Sequence, residues 1–412
     1  MRRLCFFSVL ILLFSVICVG CTQKAEGPKP LLVWSGMDTE FPTLVSQCKR
    51  FEEETGIKVE LLKVPFSNLN NKFLIAAPAG LGPDILVGPH DWIGNLCVAD
   101  LLAPIPQGTI DESRFVPVSL EAARFNNQVY MAPLCMECLA LFRNTDLMPK
   151  RPETLDELIE EAQKIQKDSN NRIKGFYFES KQCYFAAPFI MADGGYLLGK
   201  DKSGNYNPTD IGIDNEGAIL GAEFLRDLTQ KYQLIGEGAT EDLSKSLFVE
   251  KNPRENRAAV IIEGPWFLQG VKNSGVHYAI DPFPLTASGQ RPKPLLGLQG
   301  LMLNKYSERS SEAAKLIAYL TNDENMTEMS KASGRPPVTK GALKMCADDA
   351  DTMAFAKVCE DGVPMPSHPA VAQLWDPLRQ SLELIITGRV QPAPELRTTH
   401  DRIVKKIELM LE

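Results

Sequence analysis

Residues 31–63 read LLVWSGMDTEFPTLVSQCKRFEEETGIKVELLK, and the order of patterns within them decides the fold class. Leu31-Leu32-Val33-Trp34 is a short continuous apolar run, as expected of a strand covered on both faces. Leu44, Val45, Cys48 and Phe51 then recur at helical spacing, and Gly56 stands where such a helix would stop. Ile57-Lys58-Val59-Glu60-Leu61 alternates like a second strand. A helical stretch around Phe73 to Ala77 precedes Gly80, Gly82 and Pro83, and Asp84-Ile85-Leu86-Val87 reads as a third, buried strand. Strand, helix, strand, helix, strand implies a parallel sheet, so the fold class is α/β.

The same style continues downstream. Thr154-Leu155-Asp156-Glu157 is a capping box opening a helix that carries Leu155, Leu158, Ile159, Ala162 and Ile165. Residues 216–231 read as an amphipathic helix with Leu220, Phe224, Leu225 and Leu228 on one side, and Glu312 to Leu320 as another. Two α/β lobes of roughly 150 to 200 residues each would account for the 412 residues.

Upstream, the pattern is different. Met1-Arg2-Arg3 is followed by an apolar run from Leu4 to Val19, broken only by Ser8 and Ser15 and ending in Gly20-Cys21. The run is shorter than the roughly 20 residues of a spanning helix. A basic start, an apolar middle and a small residue at the cut mark residues 1–20 as a secretory signal; an uncleaved anchor is the alternative. Residues 21–30, polar with one Gly and two Pro, read as a tether. Loss of the two arginines leaves 42 basic against 52 acidic residues. The basic residues are dispersed, so nucleic acid is not an expected partner. Seven cysteines remain beyond Cys21, an odd number, so at least one is free or pairs outside the chain. Cys346 and Cys359 lie close enough in sequence to be bridged, which spacing alone leaves open. Cys135-Met136-Glu137-Cys138 has metal-ligand spacing, but neither a second such pair nor a His pair follows, so no metal and no cofactor are expected.

Seven pieces occur in order. They are Leu32-Val33-Trp34 with Asp38; Phe51 to Val59; Gly82-Pro83-Asp84-Ile85 with His90-Asp91; Pro133 with Glu137; Ala192 to Tyr196; Gly264-Pro265-Trp266; and Trp375 with Arg379. Together they resemble the extracellular solute-binding proteins of carbohydrate ABC importers, the maltodextrin binders in particular, from about Leu31 to the C-terminus. The resemblance implies a two-lobed type II periplasmic-binding fold with a hinged cleft. Residues 31–134 plus 299–340 would form the N-terminal lobe, and 139–294 plus 345–412 the C-terminal lobe. It further implies an oligosaccharide ligand, maltodextrin or a related glucoside first, and delivery to ABC transporter permease subunits. Cys21 after a small residue resembles a lipobox, which implies a lipid on its thiol and a monomer tethered to a membrane outside the cytoplasm. A binder of another sugar, or of a non-sugar solute, on the same scaffold is the alternative, and a carbohydrate-acting enzyme a more distant one.

A pyranose offers an apolar C–H face to aromatic rings and paired hydroxyls to forked polar groups, which form charge-assisted hydrogen bonds. By resemblance, Tyr184, Trp266 and Trp375 stand at stacking positions, and Asp38, Asp91, Glu137 and Arg379 at hydrogen-bonding positions. Each has a plainer reading. Trp266 would serve equally as a core tryptophan, Trp375 with Arg379 as a surface cation–π pair, Asp38 as a turn residue and Asp91 as a helix cap. Glu137 lies in an apolar run and needs a partner. The chain also departs from the maltose binder. Thr39 replaces a lysine, Gly88 a cleft tryptophan, Trp92 an arginine and Gln182 a glutamate. Trp92 is expected to supply the ring lost at Gly88.

Overall fold

The computed structural model describes residues 29–202, 206–252 and 254–411. The signal segment, most of the tether and Cys21 lie outside the described residues.

The opening stretch folds in the expected order. The strand Leu31–Ser35 leads to the helix Phe41–Thr55, which buries Leu44, Cys48 and Phe51. That helix stops at Gly56, whose φ of 73° is left-handed and admits glycine without strain. Strand Val59–Lys63 pairs parallel with Leu31–Ser35, which pairs parallel with Ile85–Pro89 on its other side. The intervening helix, Phe66–Ala76, starts seven residues before the expected stretch around Phe73. The sheet is not wholly parallel. Leu295–Asn304 enters antiparallel beside Ile85–Pro89, and Met131–Glu137 pairs antiparallel with it. The sequence pattern around 31–87 carries no sign of this long-range insertion.

A second sheet runs in the order Tyr278–Asp281, Ala140–Asn144, Arg257–Glu263, Ile173–Tyr177. Between the sheets the chain passes directly from Glu137 to Ala140 through two residues. It returns between Asp281 and Leu295. The short strand Val363–Pro364 then docks in parallel on Leu295 and Leu296, so the connections between the lobes gather at one place.

The helices of the second lobe follow their sequence signals, with two adjustments. Thr154 Oγ1 accepts the Glu157 N–H, but the Glu157 carboxylate accepts the N–H of Glu153 rather than that of Thr154. In Glu216–Gln230 the buried face is Ala218, Ala222, Leu225 and Leu228, while Leu220 is 54% exposed. Small alanines let this helix press against the helices Cys183–Ile190 and Trp375–Ile386, which turned the expected face away from Leu220. The C-terminal helix Pro392–Leu411 packs on the same group.

The cysteines are all unbridged among the described residues. Cys359 faces Cys138, with Sγ atoms 3.0 Å apart, and not Cys346 as its sequence spacing had allowed.

Candidate functional site

The loops that follow the carboxyl ends of strands converge between the two sheets, where ligands of open α/β sheets characteristically bind. From the first lobe come Gly36 to Thr39 after Leu31–Ser35, Pro89, Asp91 and Trp92 at the end of Ile85–Pro89, and Glu137 ending its own strand. From the second come Gln182 to Phe185 and, beyond Arg257–Glu263, Trp266; the helix that starts at Trp375 adds Trp375 and Arg379. These residues enclose a cavity of about 670 Å³, within the range of small-molecule sites. All nine candidates from the sequence line it: Asp38, Asp91, Trp92, Glu137, Gln182, Tyr184, Trp266, Trp375 and Arg379.

Their local settings differ. Trp266 lies on the backbone at Gly264, where a Cβ would sit 2.2 Å from the indole, so glycine is required for the ring to fold back. The indole Nε1–H donates to Glu263 Oε2 at 3.0 Å, and Tyr184 lies beside the ring at 6.3 Å between centroids. Burial pushes the Glu263 carboxyl well above the usual range, with Lys245 opposing the shift. Trp92 occupies the space over Gly88, where a Cβ would meet its ring at 2.9 Å, and it packs against Phe66 at 5.5 Å. A ring on the neighbouring turn thus stands over the glycine. Trp34, by contrast, is buried with Lys72 over its face at 4.2 Å and does not line the cavity.

Among the polar groups, Glu137 has the partners its burial demands. Arg335 Nε donates to its Oε2 at 2.5 Å and Gln299 Nε2 to its Oε1 at 2.9 Å. The same guanidinium pairs with Glu40, which is fully buried, and its face stands 6.0 Å from the Trp266 ring centre. These two carboxylates hold Arg335 firmly charged against the penalty of burial. Asp91 does not cap a helix. It lies inside the 3-10 turn His90–Trp92, and its Oδ1 is enclosed without a hydrogen-bond partner in the structure. Burial, helped by the charge of Glu137, pushes its carboxyl up to about 7. His90 beside it is buried: its Nε2–H donates to the Met365 carbonyl at 2.8 Å and its Nδ1 accepts from Leu298 N at 3.1 Å. That arrangement fixes a neutral ring, and burial pushes its pKa down to about 4.

Three candidates are less free than their residue types implied. Gln182 caps the helix Cys183–Ile190, its Oε1 accepting from the N–H groups of Tyr184 and Phe185, so its amide N–H₂ is the group left to face the cavity. Asp38 is exposed and paired with Lys63 at 2.7 Å. Arg379 is half-exposed, with Asp376 4.0 Å away, and no cation sits over the Trp375 ring among the described residues. The sequence reading missed Arg335, Gln299, Phe66 and Lys245, all of which line the cavity. Arg335 had one signal available, the carboxylate of Glu137 in an apolar run, which required a cation from elsewhere in the chain.

A family model described as bacterial extracellular solute-binding protein matches residues 46–355. The galactooligosaccharide-binding protein of Bacillus subtilis is 30% identical over 96% of this chain and 95% of its own length. A maltooligosaccharide ABC transporter solute-binding lipoprotein of Streptococcus pneumoniae is 22% identical over 92% of this chain and 90% of its own. The structure superposes on the Thermus thermophilus maltotriose binding protein bound with maltotriose, with a TM-score of 0.83 and 30% identity, over 92% of this chain and 100% of that one. The two lobes and the cleft between them are therefore a type II periplasmic-binding fold. With a shared architecture over nearly its whole length and a family match over more than half of it, this chain belongs to the bacterial extracellular solute-binding proteins.

Proposed function

We propose that this chain captures an oligosaccharide outside the cytoplasm and presents it to the permease subunits of an ABC importer. It acts as a monomer held to the membrane by a lipid on Cys21. The observation that carries the reading is the meeting, in one cavity, of aromatic platforms from both lobes with forked polar groups. Trp92 and Phe66 stand on one side, and Tyr184, Trp266 and Trp375 on the other. We assign sugar stacking to Trp92, Tyr184, Trp266 and Trp375, and hydroxyl recognition to Asp38, Asp91, Glu137, Gln182 and Arg379. We set the lobes at 31–134 plus 299–340 and 139–294 plus 345–412; membership of the two sheets supports this division in outline, except that Val363–Pro364 docks on the first sheet.

Maltodextrin is the ligand favoured by the maltotriose-bound structure and by the streptococcal relative. A galactooligosaccharide is the second reading, favoured by the relative that matches 96% of this chain. Hydrolysis is the weaker alternative. A glycosidase needs two carboxyl groups free to act across one bond, and Glu137 is committed to Arg335 and Gln299. The raised pKa of Asp91 would suit an acid, but Asp38, the other carboxylate, is paired with Lys63.

Calorimetric titration with maltotriose and with galactotriose tests the reading. One of them should bind, and Trp266→Ala and Trp375→Ala should each weaken binding by about 1 to 3 kcal/mol, the usual worth of a buried aromatic contact. Unchanged affinity in both folded variants would remove the site assignment. Cleavage of labelled maltotetraose would replace the binder with an enzyme.

A further inference from the structure

Two thiols meet where the lobes join. Cys138 Sγ and Cys359 Sγ are 3.0 Å apart, although 221 positions separate them in the chain. Both are buried, at 0% and 6% exposure, and neither lines the cavity. Cys138 directly follows the strand Met131–Glu137, on the two-residue passage into Ala140–Asn144 of the other sheet. Cys359 lies in the last turn of the helix Ala350–Glu360, just before Val363–Pro364 docks on Leu295 and Leu296, where the chain re-enters the first sheet.

We propose that Cys138 and Cys359 are a disulfide site in the exported protein, joining the first inter-lobe passage to the helix beside the second. The sulfurs stand about 1 Å beyond the ~2.04 Å bond. Members of this extracellular family work in a compartment where disulfides persist. The chemistry is thiol–disulfide exchange with a disulfide-bearing oxidant of that compartment. One cysteine thiolate, having released its proton, attacks the oxidant and forms a mixed disulfide, and one sulfur of the oxidant departs as a thiolate. The second cysteine, likewise deprotonated, attacks the mixed disulfide, the Sγ–Sγ bond forms, and the oxidant's other sulfur leaves. The two cysteines lose two electrons and two protons, and the oxidant becomes two thiols.

Burial, then the hydrogen bond with Cys359, pushes the Cys138 thiol well above its usual range. Buried thiols hold little thiolate, so exchange is easiest while the chain is still folding and both sulfurs are accessible. Its effect falls on stability, because it cross-links a long separation in the unfolded chain. The pair does not line the cavity, although Cys138 adjoins Glu137, which does.

The test is cysteine mapping of the exported full chain, quenched with acid and N-ethylmaleimide before lysis and denatured without reductant. Mass spectrometry should find the Cys138 and Cys359 peptides joined, lighter by two hydrogens than the separate thiol peptides. Recovery of both peptides separately alkylated overturns the proposal, as does finding either one joined to a different cysteine. A second measurement compares the melting point of the exported protein with that of the same preparation reduced while unfolded, refolded and alkylated. The reduced form should melt several degrees lower; equal melting points overturn the staple.

Discussion

Asp91 and His90 are sequence neighbours with opposite electrostatic problems. The Asp91 carboxyl is pushed from 3.8 up to about 7, so between those values the folded state holds a proton that the unfolded state releases. Its contribution to stability therefore falls as pH rises through that window. His90 is pushed down from 6.5 to about 4, so the stability tied to its neutral ring is present above 6.5 and is lost as pH falls toward 4. Replacing Asp91 with Asn leaves the His90 effect in both proteins and cancels it in the comparison. Asp91→Asn should gain melting temperature relative to the parent between pH 5 and pH 8. Thermal melts at those two values check this, and a difference that does not grow with pH would contradict the Asp91 assignment. Other single residues were legible from type and spacing. A tryptophan after Gly264-Pro265 and a carboxylate stranded in an apolar run both announced a local peculiarity. Gln182 did not, because the same side chain serves as a helix cap and as a cavity wall, and a sequence does not say which groups its carbonyl will find.

Arg335 ties several elements together. It joins Glu40, at the start of the helix Phe41–Thr55, to Glu137, at the end of the strand Met131–Glu137, from a loop that follows Gly334. The side chains are 8%, 1% and 11% exposed, so the ion cluster is desolvated. Arg335→Ala should cost about 3 to 5 kcal/mol of folding stability, because it leaves two buried carboxylates without their cation. Adding Glu40→Gln and Glu137→Gln to that variant should restore part of the loss. Urea denaturation measures both, and a mild single-variant cost would mean that water already compensates the carboxylates. Elements with strong periodicity were legible at this scale: Leu31–Ser35, Phe41–Thr55 and Leu155–Asp168 lie where their patterns put them. Phe66–Ala76 begins before its pattern shows, because its first turns, FSNLNNK, carry Ser and Asn of low helix propensity, and packing of Leu69 and Phe73 overrides that preference.

For the whole molecule, a ligand held by both lobes should draw them together. Small-angle scattering should therefore show a smaller radius of gyration when a binding sugar is added, and the melting point should rise with its concentration. A sugar that raises the melting point without compaction would be held by one lobe only. The alternation of strand and helix, the α/β class, the acidic balance, the residue types suited to a saccharide and the placing of Trp92 as the ring for Gly88 were all legible along the chain, since each follows from local periodicity, side-chain chemistry or near-neighbour spacing. Packing in space put Leu295–Asn304 antiparallel in the first sheet, brought Arg335 to Glu137, and set Cys359 against Cys138 rather than Cys346. One cause is common to all three. Each is a contact between residues set by how surfaces pack in space, and no periodicity along the chain encodes which distant surface a buried group will meet.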